Sequence, residues 1–145
     1  MTADRHHDAG RTPAQVYSLV FGATLLIVGI VGFFVNSGFD TGSDIQGDDL
    51  ILFEVNGWHN IVHILSGLVG LALARRRDTA YTYALGFGIV YGAVAIWGFA
   101  QDPILNLIPV NTEDNILHIL IAGAGIAAAL ASKAHRDDRA TVRTA

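Results

Sequence analysis

Cysteine is absent from the 145 residues, so disulfides, thiolate ligands and thiol nucleophiles are all excluded. Charge is scarce. Asp, Glu, Lys and Arg make up 15% of the chain against 52% hydrophobic residues, an unusual balance for a water-soluble domain of this size. Proline occurs only three times, which leaves long stretches free to be helical. Positive charge is missing from whole regions, and nothing in its placement suggests a nucleic-acid surface.

What remains is apolar sequence in four blocks, 16–35, 55–74, 81–100 and 116–131, each near the ~20 residues that span a bilayer as a helix. None has an acidic or basic residue in its central part. A four-helix bundle in water needs a polar stripe on each outward face, and the run from Ala23 to Phe34 is apolar almost all the way round. The length of the chain suits one domain. The expected fold is therefore an all-α integral membrane bundle of four helices, with the lipid bilayer as its first partner. The first block follows a charged tail as a signal peptide would, yet it is long for one. Val35-Asn36-Ser37 is also a poor cleavage site, so the block reads as a retained helix.

All nine Lys and Arg lie in the N-terminal tail (Arg5, Arg11), the second connection (Arg75, Arg76, Arg77) or the C-terminal tail (Lys133, Arg136, Arg139, Arg143). The first and third connections are acidic instead. By the positive-inside rule both termini and the Arg75–Arg77 turn are cytoplasmic, in a multi-pass plasma-membrane protein. The acidic loop around Asp40, Asp44, Asp48 and Asp49 lacks the ligand spacing of a calcium loop and reads as solvated. His6 and His7 read likewise as part of a solvated tail. Thr12-Pro13-Ala14-Gln15 is a capping box with proline at the first helical position, and it marks the start of helix one.

The chain repeats itself. Val55-Asn56-Gly57-Trp58-His59-Asn60-Ile61-Val62-His63 returns 55 positions later as Val110-Asn111-Thr112-Glu113-Asp114-Asn115-Ile116-Leu117-His118. Tyr17, Leu19, Phe21 and Gly22 return 66 positions later as Tyr83, Leu85, Phe87 and Gly88, and Gly32-Phe33 as Gly98-Phe99. Each repeat holds two helices, so the copies share one orientation and are related by a pseudo-twofold axis along the membrane normal. The expected organisation is a tail over 1–11, a first hairpin over 12–74 with a long outer loop at 36–54, a second hairpin over 79–132, and a tail over 133–145. The tight turn at Arg75–Thr79 makes helices two and three antiparallel neighbours.

Spacing of three and four places Asn56, His59, His63, Gly67 and Gly70 on one face of helix two, with Asn60 beside them. Asn111, Asp114, His118, Ala122 and Gly125 take the equivalent places on helix four, with Asn115 beside them. Small and polar residues in membrane helices face other helices, so helices two and four are expected to meet along these faces with His63 opposite His118. Gly88 and Gly92 offer a further close-packing site. Trp58, Tyr17 and Tyr83 read as interfacial belt residues, and Trp97 as packing.

Three readings of the histidines stand open. The leading one is a register-setting pair, His63 and His118, bonded to each other and to Asn60 or Asn115. It makes the chain a non-catalytic structural or interaction module, whose expected partner is another membrane protein or a second copy of itself. The second is a ligand set, either His59, His63, Asp114 and His118 around a divalent metal, or His63 and His118 on a b-type haem with Gly67 and Gly70 leaving room for the ring. The third is movement of protons or small solutes. No catalytic residue is assigned.

The segment Leu52-Phe53-Glu54-Val55-Asn56-Gly57-Trp58-His59, with Trp97-Gly98-Phe99 and Ile108-Pro109-Val110-Asn111, resembles domain of unknown function 4383. This is an uncharacterised family of four-helix membrane proteins common in actinobacteria. Arg11-Thr12-Pro13-Ala14-Gln15 extends the resemblance to about residues 11–132. It implies a bacterial plasma membrane and supplies no activity. Similarity to small oxidoreductase-associated membrane proteins of the DoxX type rests on architecture alone.

Overall fold

The computed structural model describes residues 10–144, with side chains as far as Lys133. His6 and His7 lie outside the described residues, as does most of the expected N-terminal tail. The elements are α1 (Pro13–Gly32), β1 (Asp48–Leu50), β2 (Phe53–Val55), α2 (Gly57–Leu73), α3 (Arg77–Ala100) and α4 (Thr112–Thr144). The fold is all-α apart from one short antiparallel hairpin, in which Asp48 pairs with Val55 and Leu50 with Phe53. Helix α1 begins at the capping box read from the sequence: Thr12 accepts from the Gln15 amide, and the Gln15 side chain accepts from Thr12. Helix α4 runs on through the stretch expected to be a tail, where no glycine or proline stops it.

Three helices are long and apolar enough to cross a membrane: Pro13–Gly32, Arg77–Ala100 and Thr112–Lys133. Helix α2 is apolar and shorter, at 17 residues. The outside of the bundle is oily on every helix, with Ile27, Leu65, Ile96 and Leu120 all more than half exposed. The inside is where the polar side chains are: Ser18, Asn60, His59, His118 and Asp114 are all buried. That is the reverse of a soluble bundle.

Helix α1 packs closely on α2, and α3 on α4, while the two hairpins meet more loosely. The close seams are made of glycine. A Cβ on Gly67 would come within 2.6 Å of the Gly22 carbonyl and the Leu26 amide, and one on Gly88 within 2.8 Å of the Ala122 carbonyl. At the outer ends, Gly32 makes room for the Asn60 side chain as Gly98 does for Asn115. This corrects the expected contact. Gly67, Asn60, Ala122 and Asn115 face their own hairpin partners, so α2 and α4 do not meet along a small-residue seam. The physical reason is that α1 and α3 present glycines of their own, and backbones approach most closely where both sides are small. Nor do α2 and α3, though joined by a tight turn, share a close seam. Gly92 meets only the Ala122 Cβ, at ordinary contact distance.

The hairpins are tied to each other by hydrogen bonds that come in reciprocal pairs. The Tyr17 hydroxyl donates to the Ile121 carbonyl, and the Tyr83 hydroxyl to the Ser66 carbonyl. Tyr17 and Tyr83 are 66 apart, and Ser66 and Ile121 are 55 apart, so the two bonds exchange under the sequence repeat. The same holds at the outer end, where Asn56 Nδ2 donates to the Leu107 carbonyl and Asn111 Nδ2 to the Leu52 carbonyl. The tyrosines are therefore buried cross-links and not the belt residues expected from sequence. A ring with a phenol at its tip can reach a neighbouring helix carbonyl, and satisfying that donor inside the bundle outweighs interfacial placement.

The outer loop ends in a two-residue turn, Ile51-Leu52, with both side chains strongly exposed. Ile51 has φ of 66°, a left-handed conformation costly for a β-branched residue. Ile51→Asn is expected to raise stability by about 1 kcal/mol in thermal unfolding followed by circular dichroism, because asparagine tolerates this conformation. An unchanged or lower melting temperature would count against strain at the turn.

Candidate functional site

The site starts with two helix caps. Asn56 caps α2 through the His59 amide, and its Nδ2 reaches across to the third connection. Asn111 repeats this on α4, accepting from the Asp114 amide. The asparagines expected at a helix–helix face thus cap their helices and clamp the outer connections together. Asp114, expected among the ligands, turns back: one carboxylate oxygen accepts from the Asn111 and Glu54 amides. It is a capping residue that also fixes β2 to α4.

One turn below the caps, three imidazoles gather in the gap that α2 and α4 leave between them. His59 and His63 pack ring to ring at 4.4 Å between centroids, and His59 and His118 at 6.1 Å. One ring nitrogen from each of His59, His63 and His118 lies within 4.8 Å of the other two, and all three residues are buried. Among the described residues this is where three such ligand atoms come together. The acidic outer loop does not assemble one, and Asp48 is engaged by Asn36 Nδ2.

The hydrogen bonding of the rings is uneven. His59 Nδ1 sits 2.8 Å from the Glu54 carbonyl, which has no proton to give, so Nδ1 carries the hydrogen and Nε2 keeps its lone pair. His63 Nδ1 and His118 Nδ1 have no hydrogen-bond partner. The asparagines expected beside the register-setting pair turn elsewhere: Asn60 donates to the Asn36 carbonyl, and the Asn115 side chain lies against Gly98. The room expected for a haem ring is also filled, by α1 backbone at Gly67 and by the Tyr83 ring at Gly70.

Two cavities flank the histidines. The larger, about 300 Å³, opens between α2, α3 and the third connection; the smaller, about 210 Å³, lies between α1, α4 and β2. His63 and His118 line both. Phe87 and Val94 of the larger correspond to Phe21 and Val28 of the smaller at the 66-residue offset. Trp97, expected as packing, lines the larger cavity and donates to Gln101 Oε1. Trp58 instead lies against Phe39 at the outer end.

The histidine cluster thus lies inside an all-α bundle, three of whose helices are long and apolar enough to cross a membrane. The chain belongs to the family described as domain of unknown function (DUF4383), whose model matches residues 15–131. No curated protein and no solved structure matches it. The family carries no molecular function to the site.

Proposed function

We propose that this chain is a multi-pass plasma-membrane protein, bacterial in setting, that holds one divalent transition-metal ion on His59, His63 and His118. Its helices are two duplicated hairpins, 12–74 and 79–132, with both termini on the cytoplasmic side. The observation that carries the metal reading is the convergence of three buried ring nitrogens within 4.8 Å. Imidazole suits zinc, copper, iron and nickel, and three protein ligands leave a fourth position open, as in sites where the ion engages a further molecule. Coordination needs each nitrogen about 2.0 Å from the metal, so the rings must draw inward on binding.

Second contacts favour the same reading. The Glu54 carbonyl holds His59 in the tautomer that presents Nε2, the arrangement by which metal-binding histidines are oriented. Asp114 is left outside the ligand set because its carboxylate is occupied by backbone amides. It faces the smaller cavity together with His63 and His118, where its negative charge offsets that of a cation. The alternative of a structural module without a ligand would leave two Nδ1 atoms unsatisfied in the core at a cost with no return.

Elemental analysis of detergent-purified protein tests the proposal. One transition-metal ion per chain is expected in the wild type, lost in His63→Ala and in His118→Ala and kept in Asp114→Asn. Metal well below one per chain, or metal indifferent to both histidine changes, would refute it.

A further inference from the structure

We infer that the larger cavity receives the head of a neutral, lipid-soluble ring compound of the quinone or phenol class, entering sideways from the bilayer. The first argument is what lines it. No carboxylate, lysine or arginine lines it, so the cavity has no fixed charge with which to select an ionised organic ligand. Its walls are apolar and aromatic: Phe87 stacks on Tyr91 at 3.9 Å, and Tyr91 meets His118 edge to face at 5.1 Å. At about 300 Å³ it stands at the small end of ligand cavities, enough for a ring and the start of a tail.

The second argument is what the cavity leaves unsatisfied. Tyr91 is 5% exposed, and its hydroxyl, beside Ser66, has no partner in hydrogen-bond geometry. A plain hydrocarbon would leave the Tyr91 hydroxyl unpaired, whereas a carbonyl or phenolic oxygen can accept its hydrogen.

The third argument is the difference between the two cavities. Where the larger has Tyr91, the smaller has Leu25; where it has Ser66, the smaller has Ile121. The smaller keeps Asp114, already engaged by amides, and Thr24, which is exposed. A buried hydroxyl without a partner, that of Tyr91, therefore stands on one side of the pseudo-twofold axis only, with the half-buried Ser66 beside it. Packing alone asks for no such divergence; recognition of an oxygen-bearing head does. The route is also visible, since Val62, Val90, Trp97 and Leu105 line the cavity and are exposed on the outside of the bundle.

The inference goes beyond the metal centre and does not require it, so the test uses chelator-treated, detergent-purified protein. Trp97 stands on the cavity wall, and Trp58→Phe makes it the sole tryptophan. Titration with decylubiquinone is expected to quench Trp97 fluorescence saturably, at one molecule per chain. In that background Tyr91→Phe is expected to weaken binding about tenfold, the loss of one buried hydrogen bond. Val94→Phe is expected to abolish saturation by filling the cavity, and Val28→Phe, its counterpart in the smaller cavity, to leave it unchanged. 1-Decanol, a tail without a ring, is expected not to compete. Quenching that never saturates overturns the inference, as does equal competition by decanol or an identical response to Val94→Phe and Val28→Phe. Tyr91→Phe removes one hydroxyl and keeps the test readable where a cavity-filling variant fails to fold. Metal analysis on the same preparations separates failure of this inference from failure of the metal site.

Discussion

Leucine in place of Gly67 or Gly125 is expected to destabilise the protein by about 3 kcal/mol or more, at the upper end of the cost of overpacking. At Gly67 a new side chain runs into α1 backbone at 2.6 Å, and at Gly125 into the Ala84 carbonyl at 2.7 Å and the Tyr17 hydroxyl at 2.8 Å. Backbone cannot swing aside as a side chain can, so the helices must separate. Gly86 and Gly123 are the controls, since a Cβ at either meets nothing within 4 Å. Leucine there should change stability by no more than about 0.5 kcal/mol. Unfolding in mixed micelles with increasing SDS, followed by circular dichroism, measures all four. Equal effects at the two pairs of sites would mean that the seams lie elsewhere.

Metal binding should appear in stability as well as in composition. Zinc at a hundred times its dissociation constant is expected to raise the unfolding free energy of chelator-treated protein by about 2.7 kcal/mol, because an ion held only by the folded state shifts the equilibrium by mass action. His63→Ala and His118→Ala should each remove this gain. Without metal, the double variant should cost less than the sum of the singles, since both rings line the same two cavities and share neighbours. A zinc-dependent shift that survives both changes would place the ion at other ligands. Strict additivity in the metal-free protein would separate the two rings.

Much of the bundle was readable in the residues. The capping box at Thr12–Gln15 marks the start of α1, because capping is local chemistry between residues three apart, and each of the four apolar blocks falls largely on a helix. The approach of His63 to His118 also followed from the repeat, since equivalent depth on equivalent helices puts the rings at one level. The misreadings share a cause. Periodicity says that Gly67 and Asn60 lie on a packed face, yet it does not say which helix occupies that face, and the glycines of α1 decide it. Asp114 looked like a ligand because its spacing to His118 is right; its amide bonds to Asn111 and Glu54 come from a cap and from a strand distant in sequence. Tyr17 and Tyr83 carried a signal that was missed: tyrosines at the same place in both repeats, each facing a small-residue helix. The cavities had none, because a void is the absence of side chains contributed by several elements.

The reciprocity of the cross-bonds bears on how such a chain could arise. Each hairpin contributes one tyrosine donor and one carbonyl acceptor, one clamping asparagine and one loop carbonyl for it. A lone ancestral hairpin carrying that set would find every partner it needs in a second copy of itself. Joining two copies through the Arg75–Arg77 turn releases the halves from having to be identical. Under enforced symmetry a change creating Tyr91 would also have replaced Leu25, and His59 could not have parted from Asp114. Fusion lets each half diverge on its own: the first carries His59 and Ser66 where the second has Asp114 and Ile121, and the second carries Tyr91 where the first has Leu25. The covalent link is thus what permits a twofold scaffold to hold a one-sided centre.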